Sequence, residues 1–499
     1  MINKVVLFLP PYQGKPLGPP LSLLALASPL RNAGFEVSII DAAIDSHYLD
    51  TIRSETAACC CFGLSLLTGP MIHGAIETSR FVRRLRPDLP IVYGGWHPTL
   101  MPEQTLQTDH VDVVVRGQGE VTFVELSKNL ISKKSLSGVA GISYKESDRI
   151  FHNGDRPIIN LNDLPMPAYD LVNTNAYEKA CGIRKTVYAS SVGCPYACNY
   201  CTDTVFYHRR FNALLPQRVV QEVTDLVLRH NLEEISFLDS NFPVDVKRAV
   251  AIAKGIIESK VTFRWTFQAS TDLLCRMSDE EVSLLGRSGA YHMGFGTESA
   301  AEEILALMNK PHQKIQDMHE TARKCKQANI KVTFNLILGY PGETEAHRLK
   351  TLQVMGEIAR RYPNVSFSPN VFTPYPGIPV WNQLKQLGLN GPRSLEEWAD
   401  ISLGNNLLPW FQGEEYRRAK RMMSYFILNH QLRKMARKSA SRIRSRLTGA
   451  LVKPLDWRLK HKFFGYPLEL WLARTGNWLS LRRSLLTGQS LGGDLQKVR

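Results

Sequence analysis

From residue 186 to residue 371 the chain repeats one unit six times: a short apolar run of strand length, then a longer segment with apolar residues every three to four positions. The runs cover residues 186–190, 234–238, 264–269, 291–296, 331–338 and 364–371. Val219, Val220, Val223, Leu226 and Val227 show the helical spacing that follows the first run. Strands alternating with helices predict a parallel sheet, because parallel strands need a crossover connection. Six such units without a closing pair predict an open, partial barrel, with chemistry at the carboxyl ends of its strands. The first 135 residues carry a separate alternation. Strand-like runs at 5–9, 36–41, 60–66, 90–93 and 111–115 are interleaved with helical stretches at 21–32 and 74–86. This predicts a doubly wound α/β domain, whose ligands also bind beyond the carboxyl ends of the strands.

The loop after the first run of the second set reads Cys194-Pro195-Tyr196-Ala197-Cys198-Asn199-Tyr200-Cys201. Thiolates are soft ligands that suit iron–sulfur clusters. A Cys-x-x-x-Cys-x-x-Cys spacing lets one short loop present three sulfurs to one face of a cluster. A 4Fe–4S cluster held by three thiolates keeps one iron open for a small chelating ligand. The alternatives are a zinc site, which would want a further Cys/His pair that is not obvious nearby, or three buried thiols.

With Tyr200 before the last cysteine, the motif resembles the radical S-adenosylmethionine (SAM) signature. The resemblance implies that Cys194, Cys198 and Cys201 are the catalytic and metal-binding residues. SAM would chelate the open iron and be cleaved to a 5′-deoxyadenosyl radical. Later strand ends match the family in order. Gly294-Phe295-Gly296-Thr297-Glu298-Ser299 resembles its Gly-x-Glu-Ser element, and Gly339-Tyr340-Pro341-Gly342-Glu343-Thr344 its Gly-x-Pro-Gly-Glu-Thr turn. Asp239-Ser240-Asn241 stands where the family often has Gly-Gly-Glu. The resemblance assigns Tyr200, Asp239, Asn241 and Glu298 to SAM.

The first alternation, placed directly before such a core, looks like a Rossmann-like cobalamin-binding domain. Ser65-Leu66-Leu67 matches the Ser-x-Leu element of such domains, and Gly94-Gly95 the glycine pair beside the nucleotide tail. Small residues there let a flat ligand approach the backbone. Ser65, Leu67, Gly94, Gly95 and His97 are therefore assigned to cobalamin. The Asp-x-His-x-x-Gly element is absent, and Asp45-Ser46-His47 follows the wrong strand, so no histidine ligand to cobalt is expected. Cys59, Cys60 and Cys61 are consecutive, and successive strand side chains point to opposite faces, so they are expected in the core rather than on a cluster.

The expected organisation is a cobalamin-binding domain at 1–135, a linker at 136–180, a radical SAM core at 181–395 and a basic helical region at 396–499. A small hairpin is expected at 141–152, and helices at 396–408 and 414–446. Residues 411–499 hold 20 Lys+Arg against 5 Asp+Glu, an excess equal to the +15 of the whole chain. The remainder is balanced, so the basic character belongs to the tail and suggests an anionic partner. Residues 463–485 mix Trp471 and Trp478 with Arg474, Arg482 and Arg483, which suits a peripheral membrane interface. A helical cap with a solvated basic face is the plainer alternative. Nucleic acid is disfavoured because no RNA module is recognised. Nine cysteines without a secretory layout, and no run of about 20 apolar residues, predict a cytoplasmic chain with no membrane span.

Together the resemblances imply a cobalamin-dependent radical SAM enzyme with a 4Fe–4S cluster, SAM and cobalamin. The commonest activity implied is methylation of an unactivated carbon through methylcobalamin, with an external electron donor. Rival readings are a non-methylating radical rearrangement or cyclisation, an enzyme whose first domain is empty, and a non-catalytic cobalamin or cluster sensor. The substrate expected from the tail is a lipid or hydrophobic natural product.

Overall fold

The structure, a computed structural model, describes residues 3–12, 14–402, 406–438 and 442–475; the description excludes the side chains of 438, 442–448 and 472–475. The first sheet contains β1 (Lys4–Leu9), β2 (Glu36–Asp41), β3 (Cys61–Ser65), β4 (Ile91–Gly94), β5 (Val113–Val115), β6 (Ile142–Glu146) and β7 (Arg149–His152). Their order is β2-β1-β3-β4-β5-β6-β7. The first five are parallel, as the alternation predicts. Parallel sheets are covered on both faces, and β1 shows why it reads as a continuous apolar run. Val5 and Leu7 join the core under helix Leu21–Asn32, whereas Val6 and Phe8 join the core under helix Met71–Leu85. Cys59 and Cys61 are buried in these two cores, as expected.

The hairpin β6–β7 does not stand apart as linker. β6 pairs antiparallel with β5, placing Ile142 opposite Val115, so the first sheet continues past residue 135 to His152. Ile142 and Tyr144 are apolar residues that reach a core only by this pairing. The connecting segment then forms helix Thr174–Cys181, which the sequence pattern does not announce. The Asn173 side chain caps its start, and Gly182, at φ +86°, ends it.

The second sheet has the order β15-β14-β13-β12-β11-β8, all parallel: β8 (Lys185–Tyr188), β11 (Glu234–Phe237), β12 (Arg264–Ala269), β13 (Ala290–Glu298), β14 (Lys331–Leu338) and β15 (Val365–Val371). This is the open six-stranded partial barrel. Two short strands, β9 (Ser191–Val192) and β10 (Asn212–Ala213), pair antiparallel and bracket the cysteine loop. β13 runs longer than expected and carries a register shift between Gly296 and Glu298.

The carboxyl-terminal region departs from expectation. Among the described residues of 396–408 the one helical element is the 3₁₀ turn Glu396–Asp400. That turn folds back onto the first domain, where Trp398 is buried and donates through Nε1 to Gln104 Oε1 at 2.7 Å. The expected helix at 414–446 is two helices, Gly413–Lys438 and Arg442–His461. The first is no detached tail: Met422, Tyr425 and Phe426 pack into the core of the second sheet. Helix Leu468–Thr475 follows, while Trp478, Arg482, Arg483 and the Arg474 side chain lie outside what is described. No described helix is long and apolar enough to cross a membrane.

Candidate active site

The cysteine loop leaves β9 through Gly193, whose φ is +76° and whose Cβ, were it present, would lie 2.0 Å from the Arg210 carbonyl oxygen. Only glycine fits that turn. The loop is then tied down at several points. Asn199 N–H donates to Met308 O at 3.0 Å, and Asn309 Nδ2 donates to Ala197 O at 2.7 Å. Tyr196 donates to Asp272 at 2.5 Å and stacks on His312 with ring centroids 3.7 Å apart. Cys198 is buried, and Cys194 and Cys201 are partly buried. Burial pushes all three thiols above their ordinary range, Cys201 to about 12.

Asn241, at the carboxyl end of β11, donates through Nδ2 to Cys194 Sγ at 3.8 Å while its Oδ1 accepts from Ser270 N–H. It therefore addresses the cysteine rather than open space. Asp239 is engaged within the protein. Its Oδ1 accepts from Ser190 N–H at 2.8 Å, and its Oδ2 accepts from the hydroxyls of Ser190 and Ser191. A buried carboxylate needs such donors, and these hold the loop's entry against β11.

Tyr200 and Glu298 are brought together. Tyr200 OH donates to Glu298 Oε1 at 2.8 Å, and Lys310 Nζ donates to the same oxygen at 3.0 Å and to Gly296 O at 2.7 Å. Burial works against the charge on Lys310, but the Glu298 carboxylate together with the nearby Cys198 and Cys201 sulfurs holds the amine above its ordinary value. Glu298 sits at φ +55°, a conformation that side chains rarely adopt and that the surrounding contacts must enforce. Sequence reasoning missed Lys310. A carboxylate expected inside a barrel calls for a cation, and that signal could have prompted a search for one.

A cavity of about 470 Å³ lies between the carboxyl ends of strands of the first sheet and those of β8 and β11. Ser65, Leu67, Gly94 and Gly95 line it from the first domain; Val187, Ser191 and Leu238 line it from the core. Trp96 spans the gap, with its ring 4.2 Å from that of Phe206 just after the cysteine loop. His97 does not line the cavity. Its Nδ1 lies 3.0 Å from Thr68 Oγ1, and its ring meets Trp398 edge-on at 5.6 Å, so the returning carboxyl-terminal turn claims it. Burial drops it to about 3.

The donor chemistry fits the groups that the motifs imply. Among the described residues no three His, Cys, Asp or Glu side chains gather to hold one metal ion. A cluster asks for sulfurs spread over separate irons, and the loop supplies three soft donors in a water-poor setting. Gly94 faces the cavity, and a Cβ added there would meet nothing nearer than 3.7 Å, whereas a Cβ on Gly95, at φ +92°, would meet the Leu66 backbone at 2.8 Å. The paired glycines thus leave the strand end bare, as a flat ligand requires.

Family models match in the same places: the B12 binding domain over residues 14–127 and the radical SAM superfamily over residues 188–355. An uncharacterised methyltransferase of Pyrococcus horikoshii, PH0819, is 30% identical over 398 residues, which are 76% of this chain and 83% of that protein. The anaerobic magnesium-protoporphyrin IX monomethyl ester cyclase of a Synechocystis species is 28% identical over 62% of this chain and 63% of its own length. Among solved structures, the radical SAM methyltransferase TsrM of Kitasatospora setae, with cobalamin and a [4Fe-4S] cluster bound, shares the fold. Its TM-score is 0.71 at 15% identity, over 93% of this chain and 100% of that one. Motifs, sheet order and these likenesses agree, and the chain belongs to the cobalamin-dependent radical SAM enzymes.

Proposed function

We propose that this enzyme transfers a methyl group to an unactivated carbon of a hydrophobic small molecule. The observation that carries the reading is the cavity itself: one space receives the carboxyl ends of strands of the first sheet and those of β8 and β11, at the entry to the cysteine loop. When bound, the cluster, SAM and cobalamin supply the electron, the radical and the methyl-carrying metal. The residues supply position. In this reading Cys194, Cys198 and Cys201 hold the cluster and Asn241 orients the Cys194 sulfur. Tyr200, Glu298 and Lys310 fix the polar wall beside the last cysteine. Ser65, Leu67 and the Gly94–Gly95 pair cradle cobalamin, and the Trp96–Phe206 contact keeps the two domains in register. The core proper spans 181–395 and the first domain runs on through the hairpin. The proposal extends to an external electron donor and to a peripheral contact of the carboxyl-terminal region with an anionic inner membrane face.

The similarity to a cyclase keeps one rival open, a cobalamin-using ring closure without methyl transfer. Gly94→Leu tests the cavity. The backbone has room for the added Cβ, but the leucine side chain would fill the cradle. The expected result is lost cobalamin absorbance and lost S-adenosylhomocysteine formation with iron content unchanged. Retained cobalamin and unchanged product would move its site elsewhere.

A further inference from the structure

Helix Arg442–His461 and the turn after it present an unusual surface. On the buried side of the helix lie Val452, Leu455 and Arg458. Its outer face, at helical spacing, carries Lys453, Trp457, Lys460 and His461. The Arg458 guanidinium reaches under the following turn and donates to the carbonyls of Phe463, Gly465 and Tyr466. This clamp turns the chain outward. Trp457 is 54% exposed, Tyr466 85%, Leu468 61% and Trp471 59%. Trp457 and Phe463 lie edge to face at 5.8 Å, so these two rings form one exposed pair.

The charges are one-sided. Lys453, Lys460 and Lys462 are exposed, whereas the acids of this segment are engaged inward. Asp456 accepts from Asn429 and Arg433, and Glu469 from Arg458 and Tyr425. Exposed aromatic and leucine side chains flanked in sequence by lysines, with both carboxylates already paired to arginines, have the composition of an interfacial membrane-binding face.

We infer that Trp457, Phe463, Tyr466, Leu468 and Trp471, flanked by Lys453, Lys460 and Lys462, form the face by which this enzyme docks on an anionic lipid bilayer. The aromatic and leucine side chains enter the headgroup layer while the lysines meet lipid phosphates. Docking there holds the enzyme where hydrophobic substrates reside. The inference rests on the peripheral contact proposed above and names its residues.

The test is flotation of the full chain with vesicles of phosphatidylglycerol and of phosphatidylcholine. Two triple variants are compared, Trp457→Ser/Tyr466→Ser/Leu468→Ser and Lys453→Gln/Lys460→Gln/Lys462→Gln; all six positions are exposed, and circular dichroism verifies the fold. Wild type is expected to float with phosphatidylglycerol and lose binding as salt rises. The lysine variant is expected to bind about 100-fold more weakly at low salt, at roughly five-fold per lysine. The serine variant is expected to weaken binding at least tenfold while cobalamin absorbance stays intact. Wild type that ignores both vesicles overturns the membrane contact itself. Wild-type binding unchanged in both variants overturns this face alone. A concentration-dependent dimer abolished by the serine variant gives the face to a second copy and also overturns the inference. None of these outcomes bears on methyl transfer, which is read by product formation without vesicles.

Discussion

Lys310 and Glu298 are both almost fully buried, and a buried ion pair has a distinctive response to mutation. Lys310→Met removes a cation that serves Glu298 Oε1 at 3.0 Å, Gly296 O at 2.7 Å and Tyr200 OH at 3.2 Å. The Glu298 carboxylate would keep one donor, Tyr200, and no counter-charge in contact. Removing one partner of a buried pair destabilises by about 3–5 kcal/mol, because the other charge remains in a poorly solvated site. Lys310→Met/Glu298→Gln removes both charges, and replacing both partners is commonly close to neutral. The expected result is therefore a loss of about 3–5 kcal/mol in the single variant and recovery of more than half of it in the double. Urea unfolding of the full chain under anaerobic conditions reads the loss, and iron content reads whether the neighbouring loop still holds its cluster. A single variant that loses less than about 1 kcal/mol, with no coupling in the double, would show that Lys310 and Glu298 do not act as a buried ion pair.

Gly193→Ala puts a methyl group against the Arg210 carbonyl at a left-handed φ, so it should cost at least about 1–3 kcal/mol and sharply lower iron content, read by colorimetric assay. Trp398→Ala empties the space under His97 and Trp381 and should cost about 3–5 kcal/mol; limited proteolysis should then cut near residue 398. Burial holds the folded-state value of His97 at about 3, below the ordinary 6.5. Its neutral form therefore adds stability that is present above pH 6.5 and lost as pH falls toward 3. Within that window each such histidine steepens the loss by about 1.4 kcal/mol per pH unit, so urea titrations of His97→Gln should show a shallower acid slope than wild type.

What could be read from sequence was whatever is local. The six core strands announce themselves because each is buried on both faces and bounded by amphipathic helices. The cysteine loop is legible because its three thiols lie within eight residues. Contacts distant in sequence were not legible. Lys310 is 110 residues from Tyr200, and no local pattern marks it as that tyrosine's neighbour. His97 stands in a glycine-rich strand end that looks like a ligand site, yet Trp398, far along the chain, decides where its ring goes. The partners of Asp239 are hidden for a related reason: Ser190 and Ser191, which donate to its oxygens, belong to a neighbouring strand end. The hairpin was recognised, but its pairing to β5 depends on an open sheet edge that sequence does not display.

Radical methyl transfer is tested by an anaerobic incubation of the cluster- and cobalamin-loaded enzyme with SAM, a strong reductant and a panel of hydrophobic acceptors, with Cys198→Ala beside it. Wild type is expected to form both 5′-deoxyadenosine and S-adenosylhomocysteine, and 5′-deoxyadenosine is expected to disappear in the variant. Deoxyadenosine alone with a converted acceptor would contradict methyl transfer and favour the ring-closing rival, and deoxyadenosine formation surviving in Cys198→Ala would contradict the cluster assignment.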